Sequence, residues 1–263
     1  MHPELFHIGP IHIYSYGFCM ALAFLLGLKI VLKKDFKGII QPQQIIDLVV
    51  FLLLGSLMGA RLLYVINEWP QFSKHWIEIV MIQKGGLVFY GGFMGGLLVS
   101  TVYLKVKKIP FWPVADGLVV AIALGQSIGR IGCYFNGCCY GMPVKWGICF
   151  PQNSLASYQY GWPHRLFPTQ AISSLLLLIL FIFLSWSFNR KRFNGEVFSL
   201  YLIGYSSVRF LSEFWRGDVV RFFWQFTEAQ WISVLLFALG WISYISLYHK
   251  KYLSNFMDEK KSP

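Results

Sequence analysis

Apolar residues run almost unbroken through seven blocks of this chain, at 12–32, 43–66, 86–104, 113–133, 169–188, 197–212 and 229–248, and polar residues gather between them. Most of these blocks are close to the length of helix, about 20 residues, that crosses a hydrocarbon core. The pattern predicts an all-α integral membrane protein of about seven transmembrane helices. The sixth block is short, and its helix is expected to run on through Glu213. Nothing resembles a linker, so a single membrane-embedded domain is expected over 1–263, with loops on one side near 67–85, 134–168 and 213–228. The opening MHPELFHIGP has no basic n-region and no small-residue cleavage pattern, so the first block is read as a retained helix.

Composition agrees. Hydrophobic residues make up 56% of the 263 positions and charged residues 13%, against roughly a quarter charged in a soluble domain. A net charge of +11 could suggest nucleic acid, but the distribution of Lys and Arg follows the membrane instead. Fourteen of them flank one set of block ends: Lys29, Lys33, Lys34 and Lys37; Lys105, Lys107 and Lys108; Arg190, Lys191 and Arg192; Lys250, Lys251, Lys260 and Lys261. Six are spread over the longer loops of the other side. The positive-inside rule then predicts an outside N-terminus and a cytoplasmic C-terminus, with no nucleic-acid partner.

Three arginines lie inside blocks: Arg61, Arg130 and Arg209. Each costs at least about 2.5–3.5 kcal/mol in hydrocarbon, so each should face a polar interior. At about 1.5 Å per residue they stand roughly 27, 26 and 18 Å above the cytoplasmic ends of their helices. All three are therefore expected in the outer half of the membrane, with at least two of them lining one site. A guanidinium fork matches phosphate oxygens in two-point hydrogen bonds, and the phosphate at hand in that leaflet is a lipid head group. Tyr14, Tyr16 and Tyr90 should lie at the same level, and Glu213, four positions after Arg209, can share its helix face as a counter-ion. The glycines of GGLVFYGGFMGG (85–96) have two compatible readings, close helix packing and backbone N–H donors for a head group. Asp47 and Asp116 are read as acids favoured by the start of their own helices.

The stretch GRIGCYFNGCCYG (129–141) holds three of the chain's five cysteines. Its C-x4-C-C spacing lacks the paired CxxC of structural zinc sites, and no histidine stands at a supporting distance. No metal and no cofactor are expected. The cysteines are read as small polarisable packing residues, with one disulfide from Cys133 to Cys138 or Cys139 as an option on the outer side.

GRIGCYFNGCCYG resembles the signature of the prolipoprotein diacylglyceryl transferase family, matching it at Gly129, Arg130, Ile131, Gly132, Asn136 and Gly141. The resemblance extends over nearly the whole chain, through YSYG with Tyr16, GARLLYV with Arg61, GGLVFYGG, VADG, and GYSSVRFLSEFWR with Arg209, Glu213 and Arg216. It implies a bacterial inner-membrane enzyme that moves the sn-1,2-diacylglyceryl group of phosphatidylglycerol to the lipobox cysteine of a prolipoprotein signal peptide, releasing glycerol phosphate. It implies essential roles for Arg130 and Arg209. Tyr90 is expected first to hydrogen-bond and second to act as a base, and Tyr16, Arg61, Asn136, Gly141, Glu213 and Arg216 to bind substrate. The chain departs from many members in carrying Tyr90 for histidine and Cys133 and Cys138 for asparagine and glutamate. It also has Phe167-Pro168-Thr169-Gln170 for His-Pro-Ser-Gln. Competing classes are a lipid transporter using the same groove, a membrane thiol oxidoreductase, and a paralogue with another acceptor.

Overall fold

A computed structural model describes residues 4–8, 11–73, 76–81, 85–152, 154–221 and 223–259. The chain divides into two compact units, Met1–Lys34 with Ala115–Pro263, and Asp35–Val114. Long helices dominate both. Six described helices are long and apolar enough to cross a membrane. They expose large side chains such as Leu25, Leu54, Leu98, Ile179 and Leu235, as lipid-facing surfaces do.

In the first unit, β1 (Glu4–Ile8) and β2 (Ile11–Tyr14) form an antiparallel hairpin, so the start of the first apolar block is strand and not span. Helix α1 (Ser15–Lys33) buries Ser15, Cys19, Ala23, Gly27 and Val31, one residue per turn. This stripe of mostly small residues meets a second one on α5 (Phe111–Asn136). A Cβ built on Gly132 would lie 3.1 Å from Cys19 Cβ, one on Gly125 would lie 3.9 Å from Ala23 Cβ, and one on Gly27 would lie 3.6 Å from Ala121 Cβ. The order runs in opposite directions along the two helices, so they pack antiparallel through small residues. Ser127 on α5 and Ser174 on α7 (Thr169–Arg190) each donate a hydroxyl to the other's carbonyl, at 2.8 and 2.9 Å.

Helix α8 (Glu196–Glu213) carries three charged residues in 18 and falls outside the set of six. Its N-terminus is capped from another helix. Asp116, fully buried, accepts hydrogen bonds from the Gly195 and Phe198 amides at 2.9 Å each and pairs with Lys191 Nζ at 2.9 Å. The sequence reading of Asp116 as an acid serving its own helix is thereby corrected. Helix α9 (Glu228–Glu259) outlasts its apolar block. It opens on a reciprocal pair in which the Thr227 amide donates to Gln230 Oε1 and the Gln230 amide donates to Thr227 Oγ1. Between α5 and α7 lie β3 (Pro143–Cys149), α6 (Leu155–Tyr160) and β4 (Arg165–Leu166). They close over a small apolar core of Tyr140, Phe150, Ala156 and Leu166.

In the second unit, α2 (Pro42–Asn67) starts at a Gln41–Gln44 capping box with Pro42 in the first turn. After the short α3 (Trp69–Phe72), α4 (Phe89–Val106) begins three residues later than its apolar block, because Gly85 and Gly86 take φ of +80° and +78°. Gly55 and Gly59 of α2 face Gly95 and Gly91 of α4 so closely that an added Cβ would strike the opposite backbone. The packing reading of this glycine run therefore holds for its helical part.

Replacing Asp116 by Ala is expected to destabilise the protein by roughly 3–5 kcal/mol, since it strands the half-buried Lys191 charge and two α8 amides. Thermal unfolding in detergent measures it, and a wild-type midpoint would refute the account.

Candidate active site

Helix α5 ends in a Schellman turn. The Cys138 amide donates to Cys133 O at 3.2 Å and the Gly137 amide to Tyr134 O at 3.3 Å, with Gly137 at φ +74°. This motif sets the residue three before the cap beside the second residue after it, which here are Cys133 and Cys138. Two side chains of α7 fix the turn from outside. Gln170 Nε2 donates to Cys138 O at 2.7 Å and Thr169 Oγ1 to Cys139 O at 2.6 Å. Two further segments are sewn to it. Gly141 N donates to Phe167 O at 3.1 Å, Met142 N to Trp215 O at 2.9 Å and Gly217 N to Tyr140 O at 3.0 Å. Gly141 was expected to bind substrate. Its place explains the glycine differently, because a Cβ there would lie 2.5 Å from Phe167 O and 2.8 Å from Trp215 O.

The arginine cluster lies near this turn, with Arg130 on α5 and Arg209 on α8. Arg209 Nη1 lies 3.1 Å and Arg216 Nη1 3.4 Å from the same oxygen, Glu213 Oε2. Glu213 is 2% exposed and takes its third contact from Thr227 Oγ1 at 3.1 Å. The expected Arg209–Glu213 pair is thus present and is shared with Arg216. Arg216 also makes a two-point pair with Asp218, Nε to Oδ1 and Nη2 to Oδ2, at 2.9 Å each. Burial works against the Arg216 charge, but the Asp218 bonds and Glu213 more than offset it and hold the group above its usual range. Arg130 and Arg216 stand within electrostatic reach of Arg209. Among the described residues the half-buried Arg130 makes no hydrogen bond and no ion pair. Tyr16, exposed, touches Gly132 at the Cβ position (3.2 Å) and lies in the field of Arg130 and the three cysteines. Asn136 is exposed at the cap of the same turn.

The three sulfurs of Cys133, Cys138 and Cys139 all lie within 4.8 Å of one another, and all are free thiols. The C-x4-C-C spacing, read as unfit to gather ligands, is gathered by the turn. Hydrogen bonds from Cys133 and Cys138, with Arg216 and Arg130 assisting against burial, hold the Cys139 thiol well below the usual range. A cavity of about 440 Å³ opens on Cys138 and Cys139 and is lined further by Tyr140, Tyr158, Gln159 and Asp218.

Two expected site residues belong to the second unit. The Arg61 guanidinium donates to the carbonyls of Ile79 (2.9 Å), Gly85 (2.6 Å), Gly86 (3.2 Å) and Glu78, and lies 5.5 Å from the Tyr64 ring and 5.2 Å from the Phe72 ring. It is a clamp on the segment before α4. Tyr90 is 55% exposed, with its ring edge-on to Phe89. Sequence reasoning missed Asp218 and Thr227. The Arg-Gly-Asp order at 216–218 was the available signal for the first, and Thr-x-x-Gln at 227–230 for the second.

The fold defines a polytopic membrane protein with Arg130, Arg209 and Arg216 gathered in its first unit. The chain matches the family model described as prolipoprotein diacylglyceryl transferase over residues 3–246. It is 34% identical over 256 residues to the phosphatidylglycerol–prolipoprotein diacylglyceryl transferase of Synechococcus elongatus, covering 95% of this chain and 88% of that one. With the Clostridium tetani protein of the same name it shares 33% identity over 242 residues, 91% and 95% of the two chains. The chain belongs to the prolipoprotein diacylglyceryl transferase family.

Arg61→Met should free the segment before α4 and lower stability, each charged hydrogen bond contributing about 1.5–3 kcal/mol. Limited proteolysis within 76–88 should accelerate. Unchanged cleavage would mean that the clamp is not what holds the segment.

Proposed function

We propose that this chain is a phosphatidylglycerol–prolipoprotein diacylglyceryl transferase whose lipid phosphate is held by Arg130, with Arg209 and Arg216 beside it. The observation that carries the proposal is the contrast among the three arginines. Arg209 and Arg216 are neutralised by Glu213 and Asp218, whereas Arg130 has no hydrogen bond or ion pair to its fork among the described residues. A half-buried guanidinium in that state is matched by an anion from outside the protein.

The reaction needs this arrangement. The sulfur of a lipobox cysteine attacks the glyceryl CH2 that bears the phosphodiester. The new C–S bond forms as the C–O bond breaks, and the thiol proton ends on the glycerol phosphate that leaves. Negative charge collects on the leaving phosphate, so preorganised positive donors there lower the barrier most. The same field favours the thiolate of the incoming cysteine, whose unperturbed pKa is about 8.5. Tyr16, in the field of Arg130, and Asn136, exposed at the end of the same helix as Arg130, are neutral donors for the head group. Arg61 is left out of the chemistry, because its donors are engaged with carbonyls.

The proposed setting is the bacterial inner membrane, with seven spans counting α8, the N-terminus outside and the C-terminus in the cytoplasm. The fourteen-to-six division of basic residues supports this orientation. The arginine cluster then faces the outer leaflet, where signal peptides arrive.

Purified protein, phosphatidylglycerol and a lipobox peptide test the proposal, with the peptide mass shift as readout. Arg130→Ala and Arg209→Ala should each lower transfer by at least about 10²-fold. Arg130→Lys, which retains charge without the fork, should fall between. Near-normal transfer by Arg130→Ala would sink the assignment of the phosphate to this residue.

A further inference from the structure

We propose that Cys133, Cys138 and Cys139 form a binding site for one thiophilic d10 cation, and that its occupancy switches the neighbouring arginine site off. The geometry is nearly that of a ligand set. The three sulfurs lie within 4.8 Å of one another, and metal–sulfur bonds of about 2.3 Å require them about 3.8–4.0 Å apart. Contraction by at most about 1 Å is sufficient.

The backbone is already committed to the arrangement. The Schellman turn sets Cys133 against Cys138, and the Cys138 and Cys139 carbonyls are tied to Gln170 and Thr169. The sulfurs therefore stand on a fixed tripod, half-buried, with the cavity beside Cys138 and Cys139 as an entry path. No histidine or carboxylate joins them among the described residues, so the donor set is three thiolates. Such a set selects soft cations and accepts trigonal coordination.

Charge makes the site regulatory. Three thiolates around a monovalent or divalent cation leave a net charge of −2 or −1. Arg130, three residues before Cys133 on the same helix face, and Arg216, whose neighbours Trp215 and Gly217 are bonded to Met142 and Tyr140, are compensating groups. A loaded cluster would draw the free Arg130 fork toward itself and oppose an incoming phosphate. This consequence rests on the reading of Arg130 as the phosphate holder, whereas metal binding does not.

The probe is cadmium ion, added to the full-length reduced protein in detergent. Thiolate-to-metal absorption in the ultraviolet should rise to an endpoint of one equivalent. It should be unchanged in Cys149→Ser and lost in the Cys133→Ser/Cys138→Ser/Cys139→Ser variant. Cys133→Ser and Cys139→Ser alone, with unfolding midpoints as a check on folding, should each lose the sharp endpoint. Absence of a one-equivalent endpoint in the wild type, or its survival in the triple variant, would overturn the site. Transfer is then assayed with and without one equivalent of cadmium. Inhibition of the wild type but not of the triple variant supports the switch, and equal rates would overturn it. A metal-free wild type without any transfer would instead count against the transferase reading, whatever the absorption titration gives.

Discussion

The first unit depends on one carboxylate. Glu213 is almost fully buried, yet it meets two guanidiniums, at 3.1 and 3.4 Å, and one hydroxyl. Two unit charges 4 Å apart repel by about 4 kcal/mol even at an effective dielectric of 20. Three arginines cannot be held together in an apolar surround on those terms unless negative charge lies among them. Glu213 supplies it from the helix that carries Arg209, and Asp218 adds a second charge across Gly217. The third ligand of Glu213, Thr227, is also the opening residue of the α9 capping pair. Charge compensation and the start of the last helix are therefore one structure, and disturbing either reaches the arginines.

A second dependence runs through the end of α5. Arg130 and Cys133 are three residues apart and so share a helix face, and the turn that stops the helix adds Cys138 to that face. The small-residue seam between α1 and α5 is what allows Tyr16 to reach Gly132. A larger residue at Gly132 would push α1 away from the site. The signature stretch therefore acts less as a set of ligands than as a helix ending. It places one cation and three thiols beside two segments of loop, and Gly141 permits those segments to cross at backbone distance.

Much of this was legible in the sequence, for identifiable reasons. Apolar runs mark membrane helices strongly, and six of the seven blocks became helices of spanning length and composition. The i,i+4 relation of Arg209 and Glu213 needs only helical geometry. What escaped depended on contacts between segments distant in sequence. Asp116 was assigned to its own helix because its partner amides at Gly195 and Phe198 lie some 80 positions on. The cysteines were measured against a CxxC template, although C-x4-C is the spacing that a Schellman turn brings together. Block edges failed where glycine sets the backbone: α4 begins at Phe89 because two left-handed glycines precede it.

Arg61 and Arg130 show why residue type and depth alone could not assign function. Both are arginines within apolar helices, and both were expected near the same membrane level. The distinction lies in how the fold treats the guanidinium. Around Arg61 it presents four backbone carbonyls and two aromatic faces, leaving little to offer a ligand. Around Arg130 it presents other cations and thiols, and among the described residues no acceptor is bonded to the fork. Five N–H donors left in that condition at a half-buried helix position carry a cost, since withdrawing an unmatched charge from water is unfavourable. Satisfaction of the fork, and not the presence of the charge, separates the structural Arg61 from an arginine with donors to spare.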